Sequence, residues 1–223
     1  MFPLDDASRR PTRFPIVTAS IVALNALAFA FELMGGDAFV VQWSVVPADI
    51  VAGRHLTTIV TALFMHASWS HIVGNMIFLW AFGPEIEDAM NPGRYAAFYL
   101  VGGVVSMLAQ VAADPGSTIP NLGASGAIAA VMGAFLITFP RDRIRTLLVI
   151  GWFVRVAFVP AALLIGFWFV IQLLSFGAIT DVQSGGVAYV AHIAGVIFGV
   201  ATARLFEQPR RLADERDADP GLW

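Results

Sequence analysis

Long apolar segments recur along the whole chain and constrain its fold more than any other feature. A helix that crosses a bilayer needs about 20 consecutive apolar residues. Six segments approach that length, at residues 14–33, 70–90, 94–113, 124–139, 159–176 and 187–206. The chain is 58% hydrophobic and 13% charged, whereas about a quarter of the residues in a soluble domain are charged. These features predict an all-α fold, a polytopic membrane bundle of six transmembrane helices.

The same segments define the expected organisation of the chain. The expected units are a cytoplasmic segment at 1–13, a membrane domain at 14–206 and a cytoplasmic tail at 207–223. The apolar segment at 145–158 is interrupted by Arg155, so we interpret it as an interfacial lead-in to the fifth helix. The connection at 34–69 is expected to hold an amphipathic piece lying partly in the membrane, since loops of that length without structure are uncommon.

Arginine placement supports the count of six helices. The chain has 13 cationic residues, and all of them are arginine. If the N-terminus is cytoplasmic, twelve of them fall on the cytoplasmic side and Arg54 alone falls outside. Cationic loops are retained in the cytoplasm, so both termini are expected there.

Charge and residue content exclude several classes of function. The net charge is −3 and no basic stripe is present, so nucleic acid is not an expected partner. The chain has no cysteine, which excludes disulfides and thiolate metal sites. The zinc-protease motif H-E-x-x-H is also missing. We therefore expect no metal and no cofactor, and we expect the lipid bilayer as a partner, while the oligomeric state stays open.

Four polar side chains stand out inside the apolar segments, where polar groups are costly and mark functional sites. They are His71, Asn75, Ser125 and His192. Counted from the inner helix ends, they lie roughly 24, 18, 22 and 18 Å up a hydrocarbon core of about 30 Å. Because the four share one layer, the sequence predicts a single site below the outer membrane surface.

Small residues surround two of the four. Ser125 lies in Gly123-Ala124-Ser125-Gly126, and Gly195 and Gly199 follow His192 on the same helix face. Small residues let helix backbones approach closely, which would hold the imidazole near the serine. Each residue also has a plainer interpretation. A serine that begins a helix is often an N-cap, and an intramembrane histidine or asparagine often hydrogen-bonds a neighbouring helix.

Together these motifs resemble those of the rhomboid family of intramembrane serine proteases. The matching motifs are Gly123-Ala124-Ser125-Gly126 for G-x-S-G, His71-x-x-x-Asn75 in the second span, and Ala191-His192-x-x-Gly195-x-x-x-Gly199 in the last. The run Phe82-Gly83-Pro84-Glu85-Ile86-Glu87-Asp88, then Gly93-Arg94, resembles the end of the family's second helix. The resemblance covers about residues 57–199, which is most of the chain.

The resemblance implies a serine endopeptidase with Ser125 as nucleophile and His192 as general base. It further implies an oxyanion hole made by the His71 and Asn75 side chains with the Ser125 backbone N–H. Substrates would be transmembrane segments of other membrane proteins, cut near the outer side of the bilayer, and the bacterial inner membrane is the expected location. Ala129 departs from the family pattern, because many bacterial relatives carry there an aromatic residue that stacks on the histidine. Another residue must therefore brace His192.

Thr57-Thr58 is a second departure, at a position where relatives often show Trp-Arg. Two other classes of function predict a different residue pattern. A non-catalytic rhomboid-like binding or quality-control factor would have lost the serine or the histidine. A small transporter would carry polar residues on to the inner side.

We expect the fifth helix to move aside for substrate, and the loop at 178–186 to flex over the site.

Overall fold

The computed structural model describes residues 1–178 and 189–208, and most of them are helical. The helices are α1 (Ile16–Trp43), α2 (Pro47–Val51), α3 (Thr58–Thr61), α4 (Trp69–Met90), α5 (Pro92–Ala113), α6 (Ser125–Thr138), α7 (Ala161–Ala178) and α8 (Tyr189–Phe206). Within the described residues, α1, α5 and α8 are long and apolar enough to cross a membrane. Ser125–Thr138 and Ala161–Leu174 are shorter apolar helices. The chain is therefore a mainly helical membrane protein, and six crossings stay a prediction.

A small antiparallel sheet shows that the expectation of an all-α fold was wrong. Its strands are β1 (Phe2–Asp6), β2 (Arg143–Ile150) and β3 (Phe153–Pro160), in the order β1-β2-β3. The segment at 145–158 is therefore a β-hairpin and not an interfacial lead-in, and the fifth long helix begins after it at Ala161. β1 pairs with β2 through Phe2 opposite Leu147. The segment at 1–13 is thus partly built into the sheet.

Residue type explains the hairpin. β-branched residues favour strands, and the two strands are rich in valine, isoleucine and threonine, with Val149 directly opposite Val154. The first half of β2 packs against the rest of the protein, since Ile144 and Thr146 are fully buried. Apolar content over about 20 residues does not reveal whether successive positions alternate between buried and exposed. For this reason the sequence pattern did not predict the strands.

The first helix is longer than the segment at 14–33 predicted. α1 continues to Trp43 across a kink at Gly36, which has φ 59° and ψ −155°. Glycine adopts positive φ without the steric cost that a side chain adds, so the helix bends there and resumes. The rest of the connection to α4 holds the short α2 and α3 and a 3-10 turn at Ala62–Phe64. The loop expected at 178–186 and the tail expected at 207–223 lie almost entirely outside the described residues.

A carboxylate at the inner end of α4 holds α1 against it. The Glu87 side chain accepts hydrogen bonds from the backbone N–H of Val17 at 2.9 Å and of Thr18 at 2.8 Å. It also accepts from the Thr18 hydroxyl at 2.8 Å. The first N–H groups of a helix lack intrahelical partners and favour a negative charge. Glu87 therefore caps α1 from another element and sets where α1 meets α4.

α6 occupies the centre of the bundle and packs against α4, α5 and α8. Its contact with α8 is the most extensive between any two described helices, and glycines make it possible. A Cβ at Gly199 would lie 2.1 Å from the carbonyl oxygen of Ala130, and one at Gly133 would lie 2.4 Å from that of Val196. Both distances are well inside van der Waals contact. The close backbone approach predicted from the small residues is confirmed.

Candidate active site

Ser125 is the first residue of α6 and follows a backbone turn that needs glycine. Gly123 has φ +135°, a conformation that other residues rarely adopt. A Cβ there would lie 3.0 Å from Cε1 of His71 and 3.6 Å from Oγ of Ser125. The Gly123 N–H also donates to the carbonyl of Ala62 at 2.9 Å. The turn thus places the serine hydroxyl and the His71 ring on either side of a glycine that leaves space between them.

α8 presents His192 to this hydroxyl. His192 Nε2 lies 2.7 Å from Ser125 Oγ, a hydrogen-bond distance. Gly195, one turn further along α8, explains how the two helices come so close. A Cβ at Gly195 would lie 2.3 Å from the carbonyl oxygen of Gly126. The structure therefore brings together the hydroxyl and the imidazole that the sequence analysis paired.

α7 supplies two residues that the sequence analysis missed. The Oε1 of Gln172 lies 2.7 Å from Nδ1 of His192, and the ring centroid of Trp168 lies 5.5 Å from that of the imidazole. Trp168 and Gln172 reach the same ring because residues four apart lie on the same face of a helix. Gln172 was recognisable in advance, because it is a polar amide in an apolar run, which is the criterion that selected the other four. Gln172 and Trp168 thus contact the His192 ring, which the small side chain of Ala129 was not expected to brace.

α4 contributes His71 and Asn75 one turn apart. The His71 N–H donates to the hydroxyl of Ser68, the N-cap of α4, at 3.2 Å. His71 Nδ1 accepts from the backbone N–H of Ala67 at 3.4 Å, which leaves Nε2 free to carry a proton toward Gly123. Asn75 is 8% exposed, and within the described part of the chain its buried Nδ2 has no hydrogen-bond partner. A buried amide donor without a partner is costly, and here it is available to a ligand.

One cavity of about 510 Å³ is lined by the side chains of His71, Asn75, Ser125, Trp168 and His192. It is lined by Ala67, Ser68, Ser70, His71, Gly74, Asn75, Phe78, Ile119, Pro120, Asn121, Leu122, Ser125, Ile128, Met132, Trp168 and His192. The volume falls within the range of ligand pockets, about 300–1,000 Å³. All four residues predicted from the sequence reach the same space, and the segment before α6 forms one of its walls.

The sequence match to a family model agrees with this geometry. The model of the rhomboid domain matches residues 53–209, well over half of the chain. The chain belongs to the rhomboid family. The resemblance inferred from the motifs is therefore confirmed. The rhomboid domain contains all the cavity-lining residues, whereas β1 and α1 precede it.

Individual relatives are similar at moderate identity. The chain is 26% identical over 200 residues to the rhomboid protease GluP of Bacillus subtilis, a match covering 88% of this chain and 36% of GluP. It is 27% identical over 130 residues to the putative rhomboid protease YdcA of the same organism, covering 55% of this chain and 62% of YdcA. RHOMBOID-like protein 12, a mitochondrial protein of Arabidopsis thaliana, is 32% identical over 142 residues, covering 56% of this chain and 42% of that protein. The matches therefore span 36% to 62% of these three relatives.

Proposed function

We propose that this rhomboid-family chain is an intramembrane serine endopeptidase that cleaves transmembrane segments of other membrane proteins. Ser125 is the nucleophile and His192 the general base. The observation that carries the proposal is the 2.7 Å contact between Ser125 Oγ and His192 Nε2. That contact lies in a cavity that also contains Asn75 Nδ2, a donor without a hydrogen-bond partner among the described residues. A serine hydroxyl is a weak nucleophile until a base takes its proton, so this contact is the minimum that the reaction requires.

The reaction begins when Ser125 Oγ attacks the scissile carbonyl carbon and its proton passes to His192 Nε2. The tetrahedral intermediate collapses as the same proton passes to the leaving amine, which leaves an acyl ester on Ser125. Water then repeats the sequence, with His192 as base again. Among the residues that the structure describes, the ring of His192 contacts Ser125, Gln172 and Trp168. None of these three carries a charge, so the serine and histidine act as a dyad.

Negative charge that develops on the carbonyl oxygen needs donors that are already in place. The proposed donors are the Asn75 Nδ2, the His71 Nε2 and the backbone N–H of Ser125. Asn75 Nδ2 has no partner among the described residues. The Ser125 N–H lies in the first turn of α6, where backbone N–H groups have no helical acceptor. Both donors are therefore free to bind an oxyanion without first breaking a bond inside the protein.

The membrane arrangement is part of the same proposal. The six long helices α1, α4, α5, α6, α7 and α8 each cross the bilayer, and both termini lie in the cytoplasm of a bacterial cell. Ser125 then lies roughly 20 Å above the inner end of α6, in the outer half of the membrane. A substrate helix must unwind there to expose a peptide bond. Small or helix-breaking residues near its outer end are therefore favoured.

Labelling with a fluorophosphonate probe tests the proposal without knowledge of the natural substrate. The purified protein should react at Ser125, and Ser125→Ala or His192→Ala should abolish the reaction. Ser20→Ala is the matched control, because Ser20 is a helical serine on α1 whose hydroxyl donates to its own helix at Ile16. Equal labelling of the native chain and Ser125→Ala would refute the assignment. A folded native chain that does not react would point instead to the non-catalytic, membrane-protein-binding alternative.

A further inference from the structure

The imidazole of His192 is held at both of its ring nitrogens, and the two partners come from different helices. Nε2 faces Ser125 on α6, and Nδ1 faces Gln172 on α7 at 2.7 Å. Gln172 is 7% exposed, as is His192. Water therefore has little access to the contact between them. A buried hydrogen bond of this length fixes the orientation of both side chains.

We infer that Gln172 is a positioning residue that holds His192 in the tautomer and orientation needed to activate Ser125, an inference that rests on the proposed function. The Gln172 Oε1 is an acceptor, so Nδ1 must carry the ring proton. Nε2 then presents its lone pair to the Ser125 hydroxyl. A ring free to take the other tautomer would direct an N–H at the serine and could not accept its proton.

The aromatic neighbour of His192 comes from the same helix face. Trp168 precedes Gln172 by four residues, and its ring lies 5.5 Å from the imidazole and 6.5 Å from the ring of Phe78 on α4. α7 packs mainly against α8 and α6. Every described contact that orients the base, apart from the serine itself, thus comes from α7. The ability of His192 to act as a base therefore depends on the packing of α7 against α8.

Three substitutions at position 172 separate a hydrogen-bond role from simple packing. Gln172→Met keeps the length of the side chain but offers only a weak acceptor. Gln172→Asn keeps the acceptor but withdraws it by one carbon–carbon bond, about 1.5 Å. Gln172→Glu restores an acceptor oxygen at the original distance. Leu174→Ala is the control, because Leu174 lies on the same helix and is 68% exposed.

The reaction to follow is fluorophosphonate labelling, with its saturating rate constant and its half-saturating probe concentration measured separately. In this reaction the Ser125 Oγ–P bond forms, the P–F bond breaks, fluoride leaves and the serine proton passes to His192. We expect Gln172→Met and Gln172→Asn to lower the saturating rate by about tenfold to a hundredfold, which is 1.4 to 2.7 kcal/mol at 1.36 kcal/mol per tenfold. The half-saturating concentration should not change. Gln172→Glu should stay within a few-fold of the native chain, and Leu174→Ala should match it.

Other outcomes would overturn the inference. Native rates in Gln172→Met, with Ser125→Ala unreactive, would remove the role of Gln172 and leave the proposed function intact. Equal losses in Met, Asn and Glu variants, together with lower melting temperatures, would indicate packing in place of a hydrogen bond. A native chain that does not react at Ser125 would remove both proposals.

Discussion

Gly195 on α8 lies so close to Gly126 on α6 that a methyl group could not fit between them. A Cβ at Gly195 would lie 2.3 Å from the Gly126 carbonyl oxygen and 3.0 Å from Cβ of Ala129. The nearest of these atoms belongs to the backbone of α6, which has little freedom to move, and the hydroxyl of Ser106 on α5 would lie 2.9 Å from the same Cβ. The contact is adjacent to both residues of the proposed dyad, since Ser125 precedes Gly126 and His192 is one turn from Gly195. The distance between the hydroxyl and the imidazole is therefore set by backbone packing.

Gly195→Ala should separate the dyad. The added methyl group must push α8 away from α6, which costs about 1–3 kcal/mol of unfolding free energy for an overpacked core. It should also lower fluorophosphonate labelling strongly, because the 2.7 Å contact between Ser125 Oγ and His192 Nε2 is lengthened. Labelling rate and melting temperature in detergent are the measurements. Gly166→Ala on α7 is the control, since a Cβ there has nothing within 4 Å. Unchanged labelling in Gly195→Ala would show that the dyad tolerates displacement of α8.

Asn75→Ala should slow cleavage of a transmembrane substrate without unfolding the protein. Loss of one oxyanion donor typically costs about 100- to 1,000-fold in the catalytic rate. The melting temperature should hold, because the Asn75 Nδ2 forms no hydrogen bond to any described residue that the substitution would break. Asn25→Ala is the control, and it should lower the stability of the protein without slowing cleavage. The Asn25 Nδ2 donates to the Ile21 carbonyl at 2.7 Å inside α1, so its loss should lower stability and spare the rate. An Asn75→Ala variant with native turnover would exclude the side chain from the oxyanion hole.

Asp6 should make the stability of the protein depend on pH. This β1 residue lies outside the long helices, where burial and the neighbouring Asp142 carboxyl raise the pKa of its carboxyl from 3.8 to about 8. The folded chain therefore retains a proton that the unfolded chain releases above about pH 4. The resulting stabilisation is fully present below pH 4 and is lost progressively as the pH rises to about 8.

The melting temperature of the native chain should accordingly fall between pH 5 and pH 8 more steeply than that of Asp6→Asn. Asparagine keeps the shape of the neutral acid and does not titrate, so the variant removes this one contribution. Asp5→Asn is the matched control, because Asp5 is a half-buried neighbour on the same strand whose carboxylate pairs with Arg145 on β2. Parallel pH profiles for the native chain and Asp6→Asn would contradict a proton held by Asp6.

The hairpin and Gln172 show what local sequence features leave undetermined. Apolar content identified the segment at 145–158 as membrane-associated, but its place in a three-stranded sheet depends on β1, which lies more than 130 residues earlier. A strand gains its hydrogen bonds from a partner, and the pairing of Phe2 with Leu147 is visible only in three dimensions. Gln172 likewise has a polar character that was readable, yet its role depends on the rotation of α7 relative to α8.

The helical membrane class, the family and the four polar residues of the cavity follow from properties that each segment carries alone. These properties are a length matched to the bilayer, a side chain too polar for lipid, and small residues at fixed helical spacing. The 2.7 Å distance between Ser125 and His192, the contacts of α7 with His192 and the three-stranded sheet are set by the three-dimensional packing. Small residues predict that two helices approach closely, but the distance between two side chains depends on how backbones far apart in the chain pack together.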